Sequence, residues 1–349
     1  MKEEIRSFLQ KEIDLKHIPG AVIQVACDGE VLLEEAIGYK AVHPEKEDMT
    51  IDTVFDLASL TKVIASLPAS LKLLDDGIIR LDDPVQHFLP EFSQNGKEDI
   101  MIKHLLSHTS GLTAERPFHA KKLSVSEIMS EIYADKSEAP VGGKVIYSDL
   151  GLITLYKVIE VASGVEFSKF LEEEFYKPLE MTETTFNPEF PKERYAATEY
   201  VEHLGDYKRG IVHDENCESM GGISGHAGLF STVGDLGKFA EMIENGGVYK
   251  GKRLLSENSL ELARQNFTPW DSTEYRGLGW QLKGPQFAPC GDYFSDKSYG
   301  HTGFTGTSLW FDPEVNLRVI LLTNRVHFGR EPHIIRLRPR LHNIIRKYF

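Results

Sequence analysis

Apolar positions recur with different periods along the chain, and the changes of period divide it. Met1 to Leu15 carries Ile5, Phe8, Leu9 and Ile13 on one stripe among charged residues, the pattern of an amphipathic helix. Two apolar runs follow, Ala21 to Cys27 and Val31 to Tyr39. Asp28-Gly29 separates them, and a two-residue Asp-Gly link between strand-like runs predicts a hairpin. From Ser59 to about Asn245 the period is mostly helical, with helices expected over 59–76, 100–107, 124–133, 149–163, 166–176 and 235–245. The C-terminal part returns to short strands, Gly277 to Leu282, Lys297 to Thr302, Thr305 to Phe311 and Leu317 to Thr323. A helical pattern rich in Arg and Ile, Pro332 to Tyr348, closes the chain.

Strands on both sides of a helical block predict an α+β fold, with one antiparallel sheet built from both ends of the chain and flanked by N- and C-terminal helices. The expected division is a discontinuous sheet lobe, 1–66 and 246–349, a mostly helical inserted lobe, 67–245, and a site in the cleft between them. Of the 349 residues 41% are apolar and 26% charged, so a sizeable core is expected and a disordered chain is not. The net charge of −14 argues against nucleic acid and against docking on anionic lipid. No apolar run of about 20 residues predicts a membrane segment. Met1 to Leu15 lacks the apolar stretch of a signal peptide, which leaves a cytoplasmic chain or an exported one with its signal removed. Cys27, Cys217 and Cys290 lie far apart with no Cys-x-x-Cys pair, so neither a disulfide framework nor a structural zinc site is expected. Nothing in the sequence calls for an obligate protein partner.

The sharpest candidate chemistry is Ser59-Leu60-Thr61-Lys62, the chain's single Ser-x-x-Lys. Residues i and i+3 share a helix face, so Lys62 can reach the Ser59 hydroxyl. A serine becomes a useful nucleophile only when a neighbour takes its proton. The first turn of a helix also offers backbone N–H groups to a developing oxyanion. Two further pieces stand apart. Tyr147-Ser148-Asp149 sits between a Gly-Gly loop and a helical run, and His301-Thr302-Gly303 ends one strand candidate just before the next. Taken singly, the first reads as a surface aromatic at a helix start and the second as a strand end with a turn glycine.

In this order and spacing the three pieces resemble the motifs of the serine β-lactamase and penicillin-binding-protein superfamily, and the chain is similar to its class C β-lactamase-like branch. The likeness covers nearly the whole chain. It takes in Ile102 to Leu112, and Gly225 to Thr232 with Asp235-Leu236 after it. The resemblance implies a β-lactamase/transpeptidase-like fold and no metal or organic cofactor. It implies Ser59 as the acylated nucleophile, Lys62 as its proton partner and Tyr147 as the group that protonates the leaving group. His301, at the head of the third motif, joins the catalytic residues, Asp149, Thr302 and Gly303 face the substrate, and the backbone N–H groups of Ser59 and Phe304 form the oxyanion hole. The implied activity is a serine hydrolase acting on amide or ester bonds of β-lactams, D-amino-acid cell-wall peptides or esters. A carboxylesterase, a D-aminopeptidase or a non-hydrolysing penicillin-binding sensor are the alternatives.

Two positions depart from the common pattern. Asp149 stands where asparagine is usual, and a carboxylate there is placed to pair with Lys62 and hold it protonated, shifting the base role toward Tyr147. His301 replaces the lysine usual in β-lactamases, and a neutral imidazole offers a substrate carboxylate less charge than an ammonium. Arg325, after the last strand, is a candidate for binding such a carboxylate by its bidentate geometry.

Other signals are weaker. His104 and His108 are spaced i, i+4, but no third metal ligand accompanies them. Gly246 to Lys252 has the glycines and lysine of a phosphate loop, but Arg253 stands where Ser or Thr is required. Gly222-Ile223-Ser224-Gly225 lacks the second glycine of a nucleophile elbow. His213-Asp214-Glu215-Asn216 reads as a polar loop.

Overall fold

The computed structural model describes residues 1–349. The first stripe forms helix α1 (Lys2–Asp14), and the hairpin pairs β1 (Gly20–Cys27) with β2 (Glu30–Ala41). Asp28 and Gly29 both adopt positive φ, 51° and 78°, as a two-residue hairpin turn requires. A short β3 (Glu47–Asp48) edges the hairpin. The later helices that frame the site are α2 (Leu67–Asp75), α3 (Asp149–Ser163), α4 (Val233–Glu244) and α5 (His333–Arg346). The C-terminal strands are β4 (Gln281–Leu282), β5 (Tyr299–Thr302), β6 (Ser308–Asp312) and β7 (Leu317–Thr323).

All seven strands join one antiparallel sheet in the order β4-β5-β6-β7-β1-β2-β3. The two chain ends meet in its middle, with β1 against β7 from Ala21 opposite Thr323 to Cys27 opposite Leu317. Alternate side chains of these strands serve different layers. Ala21, Ile23, Val25, Val319 and Leu321 pack with Ile5 and Leu9 of α1 and Leu337 and Leu341 of α5. Val22, Ile320 and Leu322 face the other way, into the larger core shared with the helical block. A strand buried on both faces has no polar alternation, hence the continuous apolar runs. Helix α4 lies against the sheet although its place in the chain groups it with the helical block; a Cβ on Gly237 would come within 3.0 Å of the Gln24 side chain.

Three expected elements differ. The segment 59–76 is a 3₁₀ turn (Ala58–Leu60), a wider turn (Lys62–Ser66) and then α2. Pro68 has no N–H for the Ile64 carbonyl, which takes the Tyr176 hydroxyl instead, at 3.3 Å. The strand expected over 277–282 shrinks to Gln281–Leu282, because Gly277 N–H turns back onto the Trp280 carbonyl and Gly279 has φ +71°. The strand expected from Thr305 begins at Ser308, because 303–307 is a tight turn closed by Gly303 N–H on the Thr307 carbonyl, 2.7 Å. The three cysteines are free thiols, Cys217 and Cys290 buried. No helix is long and apolar enough to cross a membrane.

Candidate active site

Ser59 follows a pinned stretch of backbone. The buried carboxylate of Asp56 accepts the N–H of Ala58 at 2.8 Å and that of His213 at 2.6 Å. Ala58 adopts φ +47°, a left-handed conformation that costs a residue with a Cβ about 1–2 kcal/mol. The hydrogen bonds to Asp56 hold it there and present Ser59 at the start of the helical segment.

Lys62, 1% exposed, donates to Ser59 Oγ at 2.9 Å and to the His226 carbonyl at 3.0 Å. Its Nζ also lies 2.8 Å from Asp149 Oδ1, an ion pair by charge and distance whose angle falls short of an aligned hydrogen bond. Burial acts to lower the ammonium's pKa, but the Asp149 carboxylate and the Tyr147 oxygen outweigh it and hold Lys62 above its ordinary value. Asp149, Asp214 and His226 bring possible ligand atoms within 4.8 Å of one another. The cation beside them is the Lys62 ammonium, already paired with Asp149.

The second motif is a helix cap. Ser148 is the N-cap of α3, its Oγ accepting Gly151 N–H at 3.1 Å, so Asp149 falls in the first turn, where the helix dipole favours a carboxylate. Tyr147 is left projecting just before the cap. His108 supports it: its ring packs on Tyr147 at 4.6 Å between centroids, and its Nδ1 accepts the Ser148 N–H at 3.1 Å. His104 instead turns back onto the Met101 N–H, so the i, i+4 histidines diverge.

His301 is the next-to-last residue of β5, its ring 5.9 Å from that of Tyr147. Its Nδ1 bonds the Thr302 carbonyl at 2.9 Å, which fixes the Nδ1–H tautomer and leaves Nε2 a buried acceptor with no protein partner. Burial, with the nearby charges of Arg276 and Lys62, pushes His301 well below the ordinary histidine range, so it is neutral. Gly303 is required, since a Cβ there would meet Thr307 Oγ1 at 2.1 Å and the Leu57 carbonyl at 2.4 Å. Thr305 and Thr307 donate to the carbonyls of Asp56 and Leu57 at 2.8 and 2.9 Å, stitching the third motif to the segment that carries Ser59. The Phe304 N–H has no hydrogen-bond partner within the chain.

One cleft of about 540 Å³ is lined by Ser59, Tyr147, His301, Thr302, Gly303 and Phe304, together with three arginines. Arg325 is there, but two of its donors are taken by the carbonyls of Phe304, 2.8 Å, and Glu331, 2.6 Å. Arg276 went unnoticed in the sequence. It is 5% exposed, stacks 5.1 Å from the Tyr147 ring centroid and pairs with Glu274 through one nitrogen, while Nε and Nη1 have no partner. Arg338 was also missed. No local pattern marks either residue.

Buried neutral histidines make stability depend on pH. Burial pushes His327 and His342 down to about 4 and holds His108 and His301 well below 6.5. Between those values and the unfolded value the unfolded chain binds protons that the folded one refuses. Stability is therefore complete above about 6.5 and is lost as the pH falls, on the order of 3 kcal/mol each for His327 and His342 by pH 4. Thermal melts from pH 8 to pH 4 are expected to show a flat Tm down to about 6.5 and a steep fall below it; a Tm level to pH 5 would contradict this.

The family model described as Beta-lactamase matches residues 5–341. An N-acetylmuramyl-L-alanine amidase of Bacillus subtilis (strain 168) is 32% identical over 88% of this chain and 78% of its own length. A protein of Escherichia coli (strain K12) provisionally named D-alanyl-D-alanine carboxypeptidase is 33% identical over 86% of this chain and 73% of its own. Among solved structures, EstCE1, a hydrolase with promiscuous acyltransferase activity, superposes with TM-score 0.78 at 20% identity, covering 98% of both chains, and shares the fold.

Proposed function

The chain belongs to the Beta-lactamase family and is a serine hydrolase of that type, and on that premise we propose that Ser59 is its nucleophile and that its substrates carry a carboxylate beside the scissile amide. The observation that carries this reading is the Ser59–Lys62–Asp149 chain beside Tyr147, in a cleft lined by three arginines in a protein of net charge −14. In this scheme Tyr147 acts as the phenolate beside the Lys62 ammonium: Ser59 Oγ attacks the carbonyl carbon while its proton passes to the Tyr147 oxygen, and Lys62 keeps its own. The N–H groups of Ser59 and Phe304 receive the negative oxygen. Tyr147 then protonates the leaving nitrogen, the C–N bond breaks, and water releases the acyl group from Ser59. The two-lobe division, 1–66 with 246–349 around 67–245, belongs to the same proposal; the cleft draws its lining from both.

Arg276 is the carboxylate anchor in this scheme, in place of Arg325, because it stacks on Tyr147 and two of its nitrogens have no partner in the chain. A charged hydrogen bond contributes about 1.5–3 kcal/mol. Arg276→Gln is therefore expected to lower kcat/KM about 10- to 100-fold for a D-amino-acid dipeptide with a free C-terminal carboxylate, and less than about 3-fold for its methyl ester. Equal losses on both would remove Arg276 from substrate recognition. A second reading, a neutral ester with a bulky apolar acyl group, is favoured by the exposed Phe287, Ile335 and Phe304 at the cleft mouth. Faster turnover of the methyl ester than of the free acid by the wild type would support it.

A further inference from the structure

Arg338 is a cation without an acid. It lies on α5, 6% exposed, and no acidic side chain offsets its burial, while Arg325 repels it. Removing a charge from water costs several kcal/mol unless dipoles or counter-charges replace the solvent. Two carbonyl dipoles do so here. Arg338 Nη2 donates to the carbonyl of Gly303 at 2.8 Å and to that of Thr307 at 2.9 Å, the two ends of the turn that carries Phe304.

The Gly303 carbonyl belongs to the same peptide unit as the Phe304 N–H. In a trans planar peptide the C=O and N–H point in opposite directions. A guanidinium fixed on the oxygen therefore aims the N–H away from α5. It also draws electron density from nitrogen toward oxygen, which makes the N–H a stronger donor, as linked hydrogen bonds polarise one another. The neighbouring carbonyl, of Phe304 itself, is held by Arg325 Nε at 2.8 Å. Two consecutive peptide planes are thus gripped by two arginines, and the N–H between the gripped oxygens is left without a partner in the chain.

We infer that Arg338 is a positioning residue for acyl transfer: it orients and polarises the Gly303–Phe304 peptide so that its N–H receives the negative oxygen of the tetrahedral intermediate. This rests on the reading of Phe304 as an oxyanion donor. The benefit arises in the transition state, where charge appears on the substrate oxygen, and hardly at all in the bound substrate. It therefore belongs in kcat rather than KM.

The test compares Arg338→Met and Arg338→Lys with the wild type on p-nitrophenyl acetate, which has no carboxylate for an arginine to bind. Rates are taken per folded molecule from melting curves, and the ¹⁵N–¹H resonance of Phe304 is recorded in protein labelled at phenylalanine. The Met variant is expected to lose about 10- to 100-fold in kcat with KM within about 3-fold, less than the ~10²–10³ cost of deleting a whole oxyanion donor. The Lys variant retains charge on the carbonyls and is expected to stay within about 10-fold. The Phe304 amide proton moves upfield in Met and little in Lys. An unmoved resonance, equal losses in Met and Lys, a kcat within 3-fold of wild type in Met, or a loss carried by KM would each overturn the inference. A wild type without Ser59-dependent turnover would overturn the reading of the site instead, and the resonance alone would then decide whether Arg338 polarises this peptide.

Discussion

Ser59→Ala is expected to abolish the covalent adduct that intact-protein mass spectrometry detects after incubation with a penicillin, and to cut ester or amide turnover by about 10⁴-fold or more. The expected size follows from what the hydroxyl does. It is the only atom that forms a bond to the substrate, and neither Tyr147 nor Lys62 replaces it once the oxygen is gone. Stability is expected to change little, because Ser59 is half-buried and loses one hydrogen bond, from Lys62 Nζ. An adduct persisting in Ser59→Ala would move the nucleophile elsewhere. In the wild type, the lifetime of the adduct separates turnover from sequestration. Decay within seconds marks a β-lactam hydrolase, and a mass that stays shifted for hours marks a penicillin-binding protein. No adduct together with Ser59-dependent ester hydrolysis marks a peptidase or esterase whose cleft rejects β-lactams.

The second large effect is expected at Lys62. Lys62→Met removes the ammonium that holds Ser59 Oγ at 2.9 Å and leaves the Asp149 carboxylate beside the nucleophile without its cation. A loss of about 10³-fold in kcat/KM is expected, because the cation that orients Ser59 Oγ and offsets the negative charge beside it is gone. Asp149→Asn probes the same charge more gently. In the wild type the carboxylate outweighs burial and keeps Lys62 protonated above its ordinary value. Without it only Tyr147 opposes burial, and the ammonium loses its proton at lower pH. The high-pH limb of the kcat/KM profile, set by Lys62, is therefore expected to move to lower pH. An unchanged limb would show that Asp149 does not set the charge on Lys62.

What the sequence discloses about this site is what neighbours in sequence can encode. The i, i+3 spacing of Ser59 and Lys62 and the start of a helix just after Tyr147 are short-range features, and the hydrogen bonds seen at both places agree with them. The pairing of Asp149 with Lys62 followed from charge alone once the motifs had been placed side by side. The site features that escaped notice are of another kind. Asp56 pins Ala58 and His213, 157 positions apart from itself in the second case, and Arg338 reaches Gly303 across 35 positions. Nothing periodic marks such contacts.

By itself, then, the sequence determined the order of the elements, the hairpin at Asp28-Gly29 and the three short motifs, because hydrophobic period and turn residues act over a few residues. The tertiary structure alone decided which residues far apart in the chain meet, as Asp56 and His213 do, and what each arginine is left to hold. A guanidinium's role depends on the carbonyls and carboxylates folded against it. Phe304 and Glu331 hold two donors of Arg325, Gly303 and Thr307 share one nitrogen of Arg338, and Arg276, stacked on Tyr147, has Nε and Nη1 buried without a partner in the chain.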